Sequence, residues 1–269
     1  MIPKQRSLQL SPHERDAMRA ACQFNARLLD AVRPCVVPGA TTESIDRFVH
    51  EYTLDHGHTP ACLGYQGERG PFPKSCCTSV NDVICHGIPD SYELQPGDIV
   101  NVDLTTIVNG WFGDQSETFL IGEVSDTARA VTQCSFDSLY LAIDALTPDC
   151  KIAVIGEAIV KEAAKYGFGV VDKYVGHGIG RRFHSASEHS ARPCPDTYRK
   201  RLSPGMCFTI EPMINAGSGE AGNTERDGWT VRTVDRQLSA QFEHTILMTE
   251  DGPEILTLTQ LGPAKGHKF

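Results

Sequence analysis

The sequence predicts an α+β fold in which helices cover a central antiparallel sheet, and three observations carry that reading. Two helical segments precede any strand. The clearest strand of the chain, Ile99 to Val108, runs through Asn109-Gly110 into a partner from Trp111 to about Ile121. Two further helical segments then precede a second group of short strands, so the order of elements repeats although no sequence repeat is visible.

The elements follow from local signals. Ser11-Pro12-His13-Glu14 offers a cap, a proline at the first helical position and a glutamate at the third. Met18, Ala21, Cys22, Leu28, Leu29 and Val32 continue at helical spacing, which predicts a helix from about 12 to 33 that closes near Arg33-Pro34. After the turn Val37-Pro38-Gly39, a second helix opens at Thr42-Glu43, buries Ile45, Phe48, Val49 and Tyr52, and ends near His56-Gly57. From Cys62 the texture changes to Gly, Pro and short β-branched runs, leading to the strand at 99–108. Ser125-Asp126 caps a third helix through Val131, Phe136, Leu139, Tyr140 and Ile143, and Pro148 separates it from a fourth, about 152 to 166, ended by Gly167. Phe208-Thr-Ile210, Trp229-Thr-Val231 and Ser239 to Met248 read as strands between Gly-rich loops. No linker divides the chain, so residues 1–269 are expected to form a single domain: an extension over 1–11, a core over 12–252 and a tail over 253–269.

Composition narrows the function classes. The 269 residues carry 34 Asp+Glu against 25 Lys+Arg, a formal charge of −9, and 40% hydrophobic residues. An acidic balance argues against a protein that coats nucleic acid. No stretch approaches the ~20 apolar residues of a membrane span, and the opening Met-Ile-Pro-Lys-Gln-Arg-Ser lacks the apolar run of a signal peptide. The ten cysteines form no Cys-x-x-Cys pair and read as reduced packing residues. A cytoplasmic protein is the expectation.

The hairpin concentrates charge where a sheet should be apolar. A two-residue turn at Asn109-Gly110 makes Val108 face Trp111 and Thr105 face Asp114, and Asp103 lies on the face of Thr105. Asp103 and Asp114 are then diagonal neighbours roughly 7–8 Å apart at the backbone, able to converge on one ion. Inside a sheet they would repel and lose hydration unless a cation or a proton intervened; pointing both to solvent is the alternative. Further along stand Gly176-His177-Gly178, Phe183-His184, Thr209-Ile-Glu211-Pro212 and Phe242-Glu243-His244. Four carboxylates and one imidazole suit a pair of divalent ions such as Mn, Co, Fe or Zn, whose charge they balance. Two such ions activate water and polarise a carbonyl, the logic of metallo-aminopeptidases.

These residues carry a specific likeness. Ala61-Cys-Leu-Gly-Tyr65, Asn81-Asp-Val-Ile-Cys-His-Gly-Ile-Pro89, Val102-Asp103 through Gly113-Asp114, Gly176-His-Gly-Ile-Gly180, Phe208-Thr-Ile-Glu-Pro-Met213 and Ala240-Gln-Phe-Glu-His244 resemble the type I methionine aminopeptidases. The resemblance runs from the first helix to Gly252. It implies the pita-bread fold, a pseudo-twofold α+β domain with a dinuclear metal centre in its sheet. It further implies that Asp103, Asp114, His177, Glu211 and Glu243 bind two divalent metals, Asp114 and Glu243 bridging them, and that a hydroxide shared by the metals attacks the first peptide bond. By the same likeness His184 contacts the substrate carbonyl, His86 lies near the scissile nitrogen, and Glu211 shuttles the proton. Tyr65, Cys77, Phe183 and Trp229 line the methionine pocket, where aromatic rings suit a thioether. Asn81 matches a residue near a monovalent cation, or serves as a turn residue.

The implied activity is removal of the initiator methionine from nascent proteins, with a small second residue preferred, by a monomer without membrane or DNA partners. Two segments depart from the family. The link between Tyr65 and Pro73 is about four residues longer, around 68–71, which leaves the place of Phe72 at the pocket rim open. The stretch Ser185 to Pro195 replaces an acidic segment and alters the rim beyond the first residue. Arg181, Arg182, Arg192, Arg199, Lys200 and Arg201 read as a solvated face, with ribosomal RNA as the other reading. A proline-directed peptidase of the same fold and a non-catalytic paralogue acting as a binding module are the rival functions.

Overall fold

The computed structural model describes residues 9–269, and for 186–190 the backbone alone. Most of the 1–11 extension, and with it the start read above for a signal peptide, lies outside the described residues. In the first half, α1 spans Pro12–Val32 and α2 spans Thr42–Asp55. The Glu14 carboxylate accepts from both the N–H and the hydroxyl of Ser11 at the start of α1, as a capping glutamate does. α1 ends one residue before Arg33, and Arg33–Cys35 continue as a 3₁₀ turn with Pro34 inside it.

Strands β1 (Cys77–Val80), β2 (Val83–Cys85), β3 (Ile99–Val108) and β4 (Trp111–Leu120) follow. β3 and β4 pair antiparallel with Val108 opposite Trp111 and Thr105 opposite Asp114, the register expected from a two-residue turn. Asn109 and Gly110 both have positive φ, 51° and 79°, which a type I′ turn requires.

The second half repeats the plan. α3 (Asp126–Asp144) starts with the Ser125 hydroxyl accepting from Ala128 N–H, and α4 (Ala153–Tyr166) ends at a left-handed Gly167. β5 (Val175–Gly178), β6 (Cys207–Ile210), β7 (Met213–Asn215), β8 (Val231–Arg232), β9 (Ser239–Gln241), β10 (His244–Met248) and β11 (Pro253–Ile255) complete the sheets. Among the described residues all strand pairings are antiparallel.

Two strand expectations need correction. Trp229 precedes β8 in a loop that its own N–H ties to Asp227. The run from Ser239 to Met248 is not continuous but splits into β9 and β10. The same break falls between β6 and β7, because Pro212 has no N–H for the ladder. The pairing Ile210 to His244 on one side and Met213 to Gln241 on the other keeps one register, so Glu211 stands opposite Glu243 in the gap. There Glu243 N–H donates instead to Ser116 O of β4 at 3.0 Å, which stitches the two halves together.

The core is correspondingly double. Val100, Val102 and Leu104 of β3 pack under α1 and α2, while Ile210, Ile214, Phe242 and Ile246 pack under α3 and α4. Phe269 closes this second core with its ring 5.4 Å from Phe136. Among the described residues no helix is long and apolar enough to cross a membrane.

Candidate metal centre and methionine pocket

Strand alternation decides which side chains meet. Val102 and Leu104 take the helix-facing side of β3, so Asp103 and Thr105 take the other. Asp114 and Ser116 of β4 oppose them, and Cys77 of β1 lies directly across from Asp103. The Thr105 hydroxyl donates to Asp114 Oδ1 at 2.8 Å.

The other half supplies the remaining groups. His177 on β5 is held by its N–H to Thr209 Oγ1 at 3.0 Å, and its Nε2 lies 3.5 Å from Asp114 Oδ2 and 3.7 Å from Glu211 Oε1. Glu211 accepts from Thr209 Oγ1 at 2.9 Å and from Gln241 Nε2 at 3.3 Å. Thr245 Oγ1 donates to the Asp114 carbonyl at 2.7 Å, locking β10 onto β4. Asp114, His177 and Glu243 present ligand atoms within 4.8 Å of one another, and Asp103 and Glu211 line the same cavity.

The electrostatics of this cluster call for cations. Burial pushes the Asp103 carboxyl up to about 7. Burial, reinforced by neighbouring carboxylates, pushes Asp114, Glu211 and Glu243 well above the usual range. No Lys or Arg forms an ion pair with any of the four among the described residues; the imidazole of His177 is the group beside them. Four acids and one imidazole around one point fit divalent metal ions, which take hard oxygen donors together with a nitrogen.

Above the acids lies a cavity of about 290 Å³. Tyr65, Cys77, His86, Phe183, His184 and Trp229, singled out above, all line it, and so does Phe72. Phe72 is 3% exposed and meets Trp229 edge to face at 5.2 Å. The longer link therefore keeps Phe72 in the pocket wall. It folds as a small hairpin, Gln66–Gly67 against Gly70–Pro71, between Tyr65 and Phe72.

Cys62, one of the cysteines read above as packing residues, is a pocket residue instead. It shares the wall with Cys77, and the neighbouring Cys62 thiol, followed by burial, raises the Cys77 pKa. Its place in the Ala61 to Tyr65 motif was the available signal. Tyr174 and Met213 also line the cavity, Tyr174 three residues before His177 and Met213 two after Glu211.

His86 owes its position to the backbone. Its φ is +56°, and a Cβ on the next residue, Gly87, would lie 2.2 Å from Thr78 O, so only glycine lets the loop close there. The ring meets Tyr174 at 5.3 Å and Trp229 at 6.2 Å, both edge to face. Burial, with His184 nearby, lowers the His86 pKa to about 4, and burial alone lowers that of His244 to about 4. Both rings are neutral in the fold, whereas free histidine titrates near ~6.5. Their unfolded forms bind protons first, so the stability these two rings contribute is lost as the pH falls from about 6.5 to about 4. Because the buried acids act in the opposite sense, the share of one ring is read as a difference: between pH 6.5 and 4 the melting temperature of metal-free His244→Gln should rise relative to that of the wild type, and a difference that does not change with pH would contradict the assignment.

Asn81 is committed to its turn. Its Nδ2 donates to Asp98 Oδ1 at 2.7 Å and its Oδ1 accepts from Ile99 N–H at 3.0 Å. In the basic segment, Arg192 and Lys200 pair with Asp172 and Asp196, and Arg181 covers the Trp111 ring at 4.4 Å. The side chains of 186–190 in the altered loop lie outside the described residues.

Comparison with known proteins agrees with this geometry. The model of metallopeptidase family M24 matches residues 16–250. The chain is 50% identical over 252 residues to methionine aminopeptidase A of Synechocystis, covering 93% of this chain and 96% of that one. The crystal structure of methionine aminopeptidase from Rickettsia prowazekii superposes with a TM-score of 0.88 at 43% identity, covering 93% of this chain and 99% of that one. The prolidase of Pyrococcus furiosus shares the fold, with a TM-score of 0.73 at 18% identity over 94% of this chain and 66% of that one. A pita-bread fold, a buried acid-rich centre that calls for divalent metal, and this degree of likeness together make the chain a member of metallopeptidase family M24, a hydrolase of its type I methionine aminopeptidase branch.

Proposed function

We propose that the chain works as one catalytic domain over residues 1–269 that removes the initiator methionine from nascent proteins and prefers a small second residue. The observation that carries this reading is that Asp103, Asp114, His177, Glu211 and Glu243 line one cavity together with the apolar side chains of Cys62, Phe72, Cys77, Phe183 and Trp229. Asp103, Asp114, His177, Glu211 and Glu243 would hold two divalent ions, with cobalt, manganese, iron and zinc as the candidates, and the ions would supply Lewis-acid polarisation of the carbonyl and activation of water near neutral pH.

The chain's own residues do the rest. Cys62, Cys77, Phe72, Phe183 and Trp229 form an apolar cluster that suits the unbranched thioether. His184 donates to the scissile carbonyl oxygen as negative charge develops there. His86, neutral and held edge to face by Tyr174 and Trp229, lies beside the amide nitrogen and orients it. Glu211, aimed by Thr209 and Gln241, takes the proton of the attacking water and returns it to the departing amine. A monovalent cation near Asn81 belongs to the same reading and would rest on main-chain carbonyls, since the Asn81 amide is engaged. So do a cytoplasmic location and a monomeric state, with Arg181, Arg182, Arg192, Arg199, Lys200 and Arg201 forming a solvated surface first and a ribosome contact as the second reading.

Two measurements test this. With Mn or Co added, the purified protein releases Met from Met-Ala-Ser, and Asp103→Asn abolishes the release; equal activity in the variant would sink the proposal. Across a panel of Met-Xaa-Ser peptides, release falls as Xaa grows from Gly or Ala to Leu or Lys, and uniform rates would remove the second-residue preference. Turnover of an Ala-Pro peptide in place of Met-Ala-Ser would favour the proline-directed rival. No turnover and no metal uptake would favour a binding module.

A further inference from the structure

We propose that Tyr65 is a positioning residue for the reaction: its phenolic O–H donates to Nδ1 of His184 and holds that ring in the tautomer that presents an Nε2–H donor to the scissile carbonyl. The inference rests on the role given to His184 above. The Tyr65 hydroxyl and His184 Nδ1 are 2.8 Å apart.

An uncharged imidazole has one donor and one acceptor nitrogen, so whatever Nδ1 does fixes what Nε2 does. If Nδ1 carried the hydrogen, Nε2 would be a bare acceptor facing a carbonyl oxygen, which is repulsive. A phenol that donates to Nδ1 places the hydrogen on Nε2. Stacking alone does not choose between these states. The His184 ring lies 4.3 Å from Phe183 at 20° and 4.2 Å from the His177 ring, which fixes its plane but leaves the two ring edges interchangeable.

The backbone around Tyr65 is built to deliver the phenol. Tyr65 N–H closes a turn on Cys62 O at 3.0 Å, and its carbonyl accepts from Phe72 N–H at 2.8 Å. The residues between form the hairpin that lengthens this link, and it is clamped to the loop before β8. A Cβ on Gly67 would lie 2.6 Å from the Trp229 ring, and Arg69 Nη1 donates to Glu225 O at 3.2 Å. The Tyr65 ring itself stands edge to face on Phe183 at 5.1 Å. The added residues thus brace Tyr65 against the same aromatic wall that stacks on His184.

Steady-state kinetics on Met-Ala-Ser with the metal-loaded enzyme test this through a double-mutant cycle. Tyr65→Phe should lower kcat about tenfold, the scale of an orienting partner, with KM little changed because the ring remains in the wall. His184→Gln keeps an amide donor that has no tautomer to set, so adding Tyr65→Phe to it should cost nothing further. Nitrogen-15 shifts of His184 should report protonation at Nε2 in the wild type and a mixture in Tyr65→Phe. An unchanged kcat in Tyr65→Phe, or an equal loss in both backgrounds, would overturn the inference while leaving His184 in its role. Full activity in His184→Ala would instead overturn the role of His184, and the inference with it.

Discussion

Exchanging Glu243 for Gln lowers methionine release by more than about 100-fold, since loss of a ligand exceeds the 10–100-fold cost of disturbing a ligand's partner. In the metal-free protein the same exchange raises the melting temperature at pH 7.5, by about 5 °C if one to two kcal/mol of repulsion is relieved. Both effects have one cause. Glu243 stands opposite Glu211 in the gap of the β6/β10 ladder, buried, with burial first and Asp114 next pushing its carboxyl well above the usual carboxylate range. A raised pKa means the folded state holds protons that the unfolded state releases, so metal-free stability falls as the pH rises from about 4 towards 7 and above. Divalent ions bind the deprotonated form and reverse the slope. Calorimetry of the metal-free protein at pH 5 and 7.5, with and without Mn, measures this; a metal-free protein most stable at pH 7.5 would contradict it.

Arg33→Ala is the largest expected loss of stability away from the site. Arg33 Nη1 and Nη2 hold the Glu117 carboxylate at 2.6 and 2.8 Å, and the guanidinium lies 5.1 Å over the Phe119 ring. Glu117 is 6% exposed. Removing the arginine leaves that carboxylate buried and unpaired, a cost of about 3–5 kcal/mol, or about 10 °C in melting temperature for a domain of this size. Burial already raises the Glu117 pKa, and Arg33 opposes the rise. Without Arg33 the carboxyl rises further, so the deficit is larger at pH 7.5 than at pH 5. Glu117 alternates with Ser116 and points away from the metal centre, so kcat of the variant below its melting temperature should match the wild type. A stability change under about 1 kcal/mol would show the pair to be solvated instead.

Several elements were legible because their signals are local. The Ser11 and Ser125 caps, the apolar spacing of the four helices and Gly167 set helix ends to within a residue or two. Asn109-Gly110 fixed a register, and the register fixed the face shared by Asp103, Thr105 and Asp114. The run from Ser239 to Met248 reads as one strand from its own residues, because its break is dictated elsewhere, by Pro212 between β6 and β7 and by Ser116 of β4.

By itself, then, the sequence determined the helices, the central hairpin and the face that Asp103 and Asp114 share, all consequences of pairings a few residues apart. The tertiary structure decided where His177, Glu211 and Glu243 meet them, that Cys62 shares the pocket wall, and that the lengthened link delivers Tyr65 to His184. Those contacts close loops of tens to more than a hundred residues. Loop closure depends only weakly on the residues spanned, so it leaves no local pattern; such contacts are selected by the packing of two half-cores against one sheet.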